Sequence, residues 1–148
     1  QLERCLHSGL LHVGVSARQG NNHIVETAVD NTRQTSVHVV ASIAREHARY
    51  DRVPVMEDFD FTLQLLRAGF PNRVFYQYAQ GQKQSNAPGG CSSYRTVQVQ
   101  REGAFRLAEL HPGFVRVVEK TTKTGWDGMR TRTDVVVSWK KAFQSSGK

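Results

Sequence analysis

Val55-Met56-Glu57-Asp58-Phe59-Asp60-Phe61-Thr62-Leu63-Gln64-Leu65-Leu66-Arg67-Ala68-Gly69 decides the reading of this chain. An extended segment gives way here to an amphipathic helix, and two adjacent carboxylates, Glu57 and Asp58, stand at the junction. Val53-Pro54-Val55 is predicted to be extended, because the residue before a proline avoids the helical region. The helix is predicted from Phe59 to about Ala68, with Gly69 ending it and Pro71 as a second stop signal. Leu63, Leu66 and Phe59 are expected to face a core. An Asp ahead of an apolar run is first of all an N-cap, and a Glu beside it favours the helix dipole. The same partial positive charge is expected to hold Asp58 ionised, which would let it take a proton from an alcohol.

Upstream, Leu2 to Leu11 carries apolar residues at helical intervals and reads as a short helix feeding a strand over Leu11 to Val15. The polar stretch Ser16-Ala17-Arg18-Gln19-Gly20-Asn21-Asn22 follows. Its Gly and Asn residues tolerate positive φ and would let backbone amides approach a ligand, with Arg18 meeting a phosphate; an unliganded turn is the plain alternative. Ser36 to Ile43 is expected as a strand that turns near Arg45, although Ala41 to Tyr50 reads equally well as helix.

Downstream, Val74 to Tyr78 alternates as a strand, and Gln80 to Cys91 is a long polar loop. Thr96 to Leu110 is predicted helical, with Ala104, Leu107 and Ala108 inward and Arg101 and Arg106 outward, delivering His111 at its end. Phe114 to Val118 is expected as a strand, Glu119 to Arg132 as a charged loop, and Val135 to Trp139 as the last strand, with Trp139 in the core. Gln144 to Lys148 is expected to fray.

The 148 residues suffice for one core, and the formal charge of +7 favours a polyanionic partner, nucleic acid above all. No apolar stretch is long enough to span a bilayer, and a soluble intracellular protein is expected. Cys5 and Cys91 have no metal-ligand spacing and are expected as reduced thiols.

The order of these segments resembles the acceptor half of a GT-A type glycosyltransferase. The wording around Ser16 to Asn22, Arg52 to Asp60, Gly89-Gly90-Cys91-Ser92 and Arg132-Thr133-Asp134-Val135 is similar, over nearly the whole chain, to the TET-associated glycosyltransferases of phages. That resemblance implies an α/β fold, a mixed sheet with flanking helices, in one domain over 1–148 that lacks the family's amino-terminal nucleotide-binding half. It implies transfer of a sugar from a UDP-sugar to the hydroxyl of 5-hydroxymethylcytosine, or a related hydroxymethylpyrimidine, in DNA inside a phage-infected bacterium. Asp58 would be the base and Glu57 would hold the acceptor or a neighbouring loop. Arg18, Gln19, Gly20, Asn21, Gly89 and Gly90 would meet the donor, and His111 would bind a divalent metal, Mn or Mg.

Lys120, Lys123 and Arg130 are candidates for phosphates, and Trp126 for stacking on a flipped base. Solvated charge is the plainer reading for the cations, a helix-end cap for His111. Two other functions stay open. One is a non-catalytic nucleic-acid-binding module, or a fragment awaiting a second chain with the donor site; the other is a relative acting on protein or glycan.

Overall fold

The computed structural model describes residues 2–17, 24–34, 37–80, 96–126 and 129–147, with the side chains of 17, 122–126, 129 and 130 left aside. Its architecture is mixed α/β. Helix α1 (Leu2–His7) leads through Gly9, at φ +95°, into β1 (His12–Ala17). The sheet runs β2 (Ala28–Asp30), β4 (Asn72–Gln80), β1, β3 (His38–Val40); β4 and β1 are parallel and the outer pairings antiparallel. A register shift between Val15 and Ser16 breaks the β1–β4 ladder.

The strand expected over Ser36 to Ile43 is shorter than its composition suggests. Ala41 N–H donates to Leu11 C=O at 2.9 Å, closing the pairing, and Ser42–Glu46 then coils into a 3-10 turn that buries Ala44. Packing of Ala44 and Ala48 under the sheet outweighs the strand preference of the Val and Ile residues.

Helix α2 (Glu57–Arg67) is buried on two sides. Leu63 and Leu66 join Val53, Val55, Met56, Ala104, Leu107, Val115, Val135 and Ala142 in the larger core, with Phe59 packed against it. Phe61 and Leu65 point the other way, into a smaller core with Ala44 and Ala48. An amphipathic reading captures the first face only; α2 lies between two layers, so both faces are apolar. Gly69, at φ +84°, ends the helix as expected.

Helix α3 (Val97–Leu110) starts where Thr96 Oγ1 accepts from Val99 N–H at 3.2 Å, and Ala104 and Leu107 are fully buried. The segment expected as a charged loop is instead the body of a hairpin: β5 (Val115–Trp126) pairs antiparallel with β6 (Met129–Val137). Its many β-branched threonines favour extended backbone, but the polar run shows no apolar alternation by which a strand could be recognised. Trp139 does not end a strand. It opens α4 (Trp139–Gln144), which packs on α2. The tail expected to fray is tied at its start, because Ser145 Oγ donates to Ala142 C=O at 2.8 Å and Ser146 N–H to Phe143 C=O at 3.0 Å. No described helix is long and apolar enough to cross a membrane.

Candidate functional site

A cavity of about 360 Å³ opens where the start of α2, the first turn of α3 and the β5–β6 hairpin meet. Its walls hold Asp58, Arg33, Gln100, Lys120, Arg132 and Asp134, with Met56, Phe59, Val135, Val137 and Trp139 as the apolar part. Phe59 and Trp139 meet edge to face at 5.4 Å, and the Arg33 guanidinium lies 4.2 Å over the Phe59 ring. Aromatic surface beside cations suits a ligand that joins a planar ring to an anion.

Asp58 is not the cap. Met56 takes the N-cap position in the left-handed region, at φ 64° and ψ 31°, with no side-chain capping bond, and Asp58 falls in the first turn. A non-glycine residue there is strained by about 1 kcal/mol, and that strain is stored directly before the Glu57-Asp58 pair. The charge expectation is also corrected. Burial pushes the Asp58 carboxyl above its ordinary value; Arg33 pulls it down and Glu57 adds to the rise, with the net shift upward. Desolvation therefore outweighs the helix terminus, and a carboxylate of raised basicity is the better proton acceptor.

Asp134 is the second acid of the cavity. Burial works to raise it, but the Val135 amide, at 2.9 Å, together with Lys120 and Arg132 holds it below the usual carboxylate range. Lys120 Nζ and Arg132 Nη2 both reach the same oxygen, Oδ2, at 3.0 and 3.1 Å. Gln100 is held by Nε2 donating to Thr133 C=O at 3.2 Å.

His111 stands elsewhere. Its ring is fully buried, with Nε2 at 2.7 Å from Asp60 Oδ1 and Nδ1 at 3.1 Å from Arg67 Nη1. Arginine has only donors, so Nδ1 accepts and the proton sits on Nε2, which donates to Asp60. Asp60 Oδ2 in turn accepts from Gln64 at 2.9 Å and faces Arg52 at 3.3 Å. With both ring nitrogens engaged, His111 has no lone pair to give a metal, and the expected ligand role does not fit. Among the described residues, no three His, Cys, Asp or Glu side chains gather as a cation site.

Of the residues singled out from sequence, Asp58 and Lys120 meet in the cavity, Glu57 precedes it as the first residue of α2, and His111 is in the network beneath. Arg18, Gln19, Gly20, Asn21, Gly89, Gly90 and Cys91 lie outside the described residues. Lys123, Trp126 and Arg130 lie in the hairpin, and their side chains are outside the description. Cys5 is a free thiol. Arg33, Gln100, Arg132 and Asp134 were missed as site residues. Arg132 and Asp134 share one strand face by their spacing of two, but only the hairpin register places them beside Lys120.

Comparison of the chain with family models, with curated proteins and with solved structures finds no match.

Proposed function

We propose that this chain carries the acceptor side of a glycosyltransferase, moving a sugar from a nucleotide-sugar to the hydroxyl of 5-hydroxymethylcytosine or a related hydroxymethylpyrimidine in DNA. The observation that carries this reading is Asp58: a carboxylate of raised basicity in the wall of a cavity that also offers aromatic surface and three cations. In the transfer the acceptor oxygen attacks the anomeric carbon, its proton passes to Asp58, and the bond to the nucleotide diphosphate breaks as the new glycosidic bond forms. The departing group takes the electron pair as an anion, so positive charge near it lowers the barrier.

The Phe59 and Trp139 faces suit an extruded base, which an enzyme modifying a base substituent within a duplex requires. In this reading Glu57, next to the base on the first turn of α2, holds the acceptor or a neighbouring loop. The donor's own contacts, and a second chain that would supply them, belong to the proposal in the same way as the sugar acceptor.

Mass spectrometry of nucleosides tests the reading. DNA containing 5-hydroxymethylcytosine is incubated with the chain, manganese and a mixture of UDP-sugars, and a hexose-sized gain lost in Asp58→Asn supports it. DNA binding with no gain from any donor leaves a non-catalytic module or an acceptor-side fragment awaiting a second chain with the donor site.

A further inference from the structure

Lys120 and Arg132 are direct partners across the β5–β6 hairpin. Like charges directly opposite repel one another, so such a pair weakens a hairpin unless something else requires it. Asp134, two residues beyond Arg132 on the same strand face, accepts from both through the single oxygen Oδ2. Two cations against one carboxylate leave a surplus positive charge on the cavity wall, while Arg33 acts on Asp58 nearby. The group is half sheltered rather than solvated, with side-chain exposures of 49% for Lys120, 30% for Arg132 and 14% for Asp134. Each long side chain is thus already oriented before a ligand arrives, and part of the ordering entropy is already lost.

We propose that Lys120 and Arg132, aligned by their shared contact with Asp134, form a clamp for a phosphate group of the ligand that enters the cavity. This rests on the same cavity as the proposed transfer but not on the transfer itself. A phosphate oxyanion complements the surplus charge, and Arg and Lys donate to it with the directionality of charge-assisted hydrogen bonds. Phe59 and Trp139, on the same walls, supply the ring surface for a phosphate attached to a base, so the ligand class is a nucleotide. Two sources share this chemistry: a backbone phosphate of DNA beside the acceptor nucleotide, and the diphosphate of the nucleotide donor.

Calorimetric titration of the chain with two probes, a single-stranded oligothymidylate and UDP, tests the clamp and separates the sources. Lys120→Gln and Arg132→Gln are each expected to weaken one probe about tenfold, while Arg101→Gln, on the outer side of α3, leaves both unchanged. Loss confined to the oligonucleotide, with the salt slope of its affinity falling by about 0.7 per lost phosphate contact, assigns the DNA backbone; loss confined to UDP assigns the donor. Arg132→Lys keeps a charge beside Asp134 and serves if Arg132→Gln does not fold. Wild-type affinity for both probes in Lys120→Gln and Arg132→Gln chains of native circular dichroism, or in Lys120→Gln alone where Arg132→Gln does not fold, overturns the clamp, as does a wild-type chain that binds neither. Probe binding by a chain that transfers no sugar leaves the clamp standing and counts only against transfer by this chain alone.

Discussion

Asp60 and His111, 51 residues apart in sequence, meet at 2.7 Å between Oδ1 and Nε2, and neither side chain has appreciable contact with water. Through this bond the first turn of α2, which carries Asp58, is tied to the residue that ends α3. Arg67 closes the link from the far end of α2 by donating to Leu110 C=O at 2.9 Å and to His111 Nδ1. Both ends of α2 are therefore tied to the end of α3, and the cavity wall that α2 carries is held with it.

Removing one partner leaves the other buried with an unmet hydrogen-bonding group, which typically costs about 3–5 kcal/mol when a charge is involved. His111→Ala and Asp60→Ala are each expected to destabilise the chain by that order. Urea unfolding monitored by circular dichroism checks this, and the double variant should cost less than the two singles together. Additive losses would show that the contact is not energetically coupled.

Asp58→Asn is expected to lower transfer by about 10²- to 10⁴-fold, the usual contribution of a positioned base. Stability should move the opposite way. The folded carboxyl is raised above its unfolded value, so the folded state holds the proton more tightly and loses stability as pH rises through that interval. At neutral pH, Asp58→Asn is thus expected to melt no lower than wild type. A clear fall in melting temperature would assign Asp58 a structural role.

The pH profile carries a further consequence. A base acts when deprotonated, so kcat/KM should rise with pH along a limb lying above the ordinary Asp range. Arg33 lowers the Asp58 carboxyl, while burial and Glu57 raise it; Tyr50 shares the field of both acids. Arg33→Gln should therefore shift this limb to higher pH, and Arg33→Lys should restore most of its position. A limb unmoved in Arg33→Gln would show that another group titrates there.

His12 sets the acid stability. Burial, with the neighbouring His38 second, lowers its pKa from 6.5 to about 3, and the ring lies edge-on to His38 at 5.0 Å and to Phe61 at 5.6 Å. The unfolded chain binds the proton first, so stability is full above about pH 6.5 and declines as pH falls towards 3. The decline from this one group is of the order of several kcal/mol. Unfolding free energies measured from pH 7 to pH 4 should fall steeply in wild type and less steeply in His12→Phe.

Gly103 brings α3 close to the bent segment that enters α2, where an extended one was expected. A Cβ there would stand 2.5 Å from Val55 Cγ2 and 3.2 Å from the Val55 carbonyl oxygen. Gly103→Ala gains about 1 kcal/mol of helix propensity but forces an overpacked contact that costs about 1–3 kcal/mol. The expected net is destabilisation, with a favourable coupling when Val55→Ala is introduced beside it. Denaturant unfolding of the four chains of that cycle measures the coupling.

Local signals made much of the frame readable. Gly69 and Pro71 ended α2 where expected, the helix expected over Thr96 to Leu110 holds α3, and the spacing of Ala104 and Leu107 chose its buried face. Each depends on a residue's own backbone limits or on neighbours three or four positions away, which the chain order contains. The start of β5 and the end of β6 were expected as strands, but the body of the hairpin was hidden because its polar threonines and lysines lack the apolar alternation that reveals a half-buried strand.

The glutamate-aspartate pair was visible in the chain, and so was the placing of Asp58 at the start of a helix. That burial raises the Asp58 carboxyl, that His111 turns inward to Asp60, and that Arg33, Lys120, Arg132 and Asp134 share one cavity were decided by tertiary structure alone. The physical reason is common to all three: burial and ion pairing depend on which distant segments close over a group, and no local sequence window contains that information.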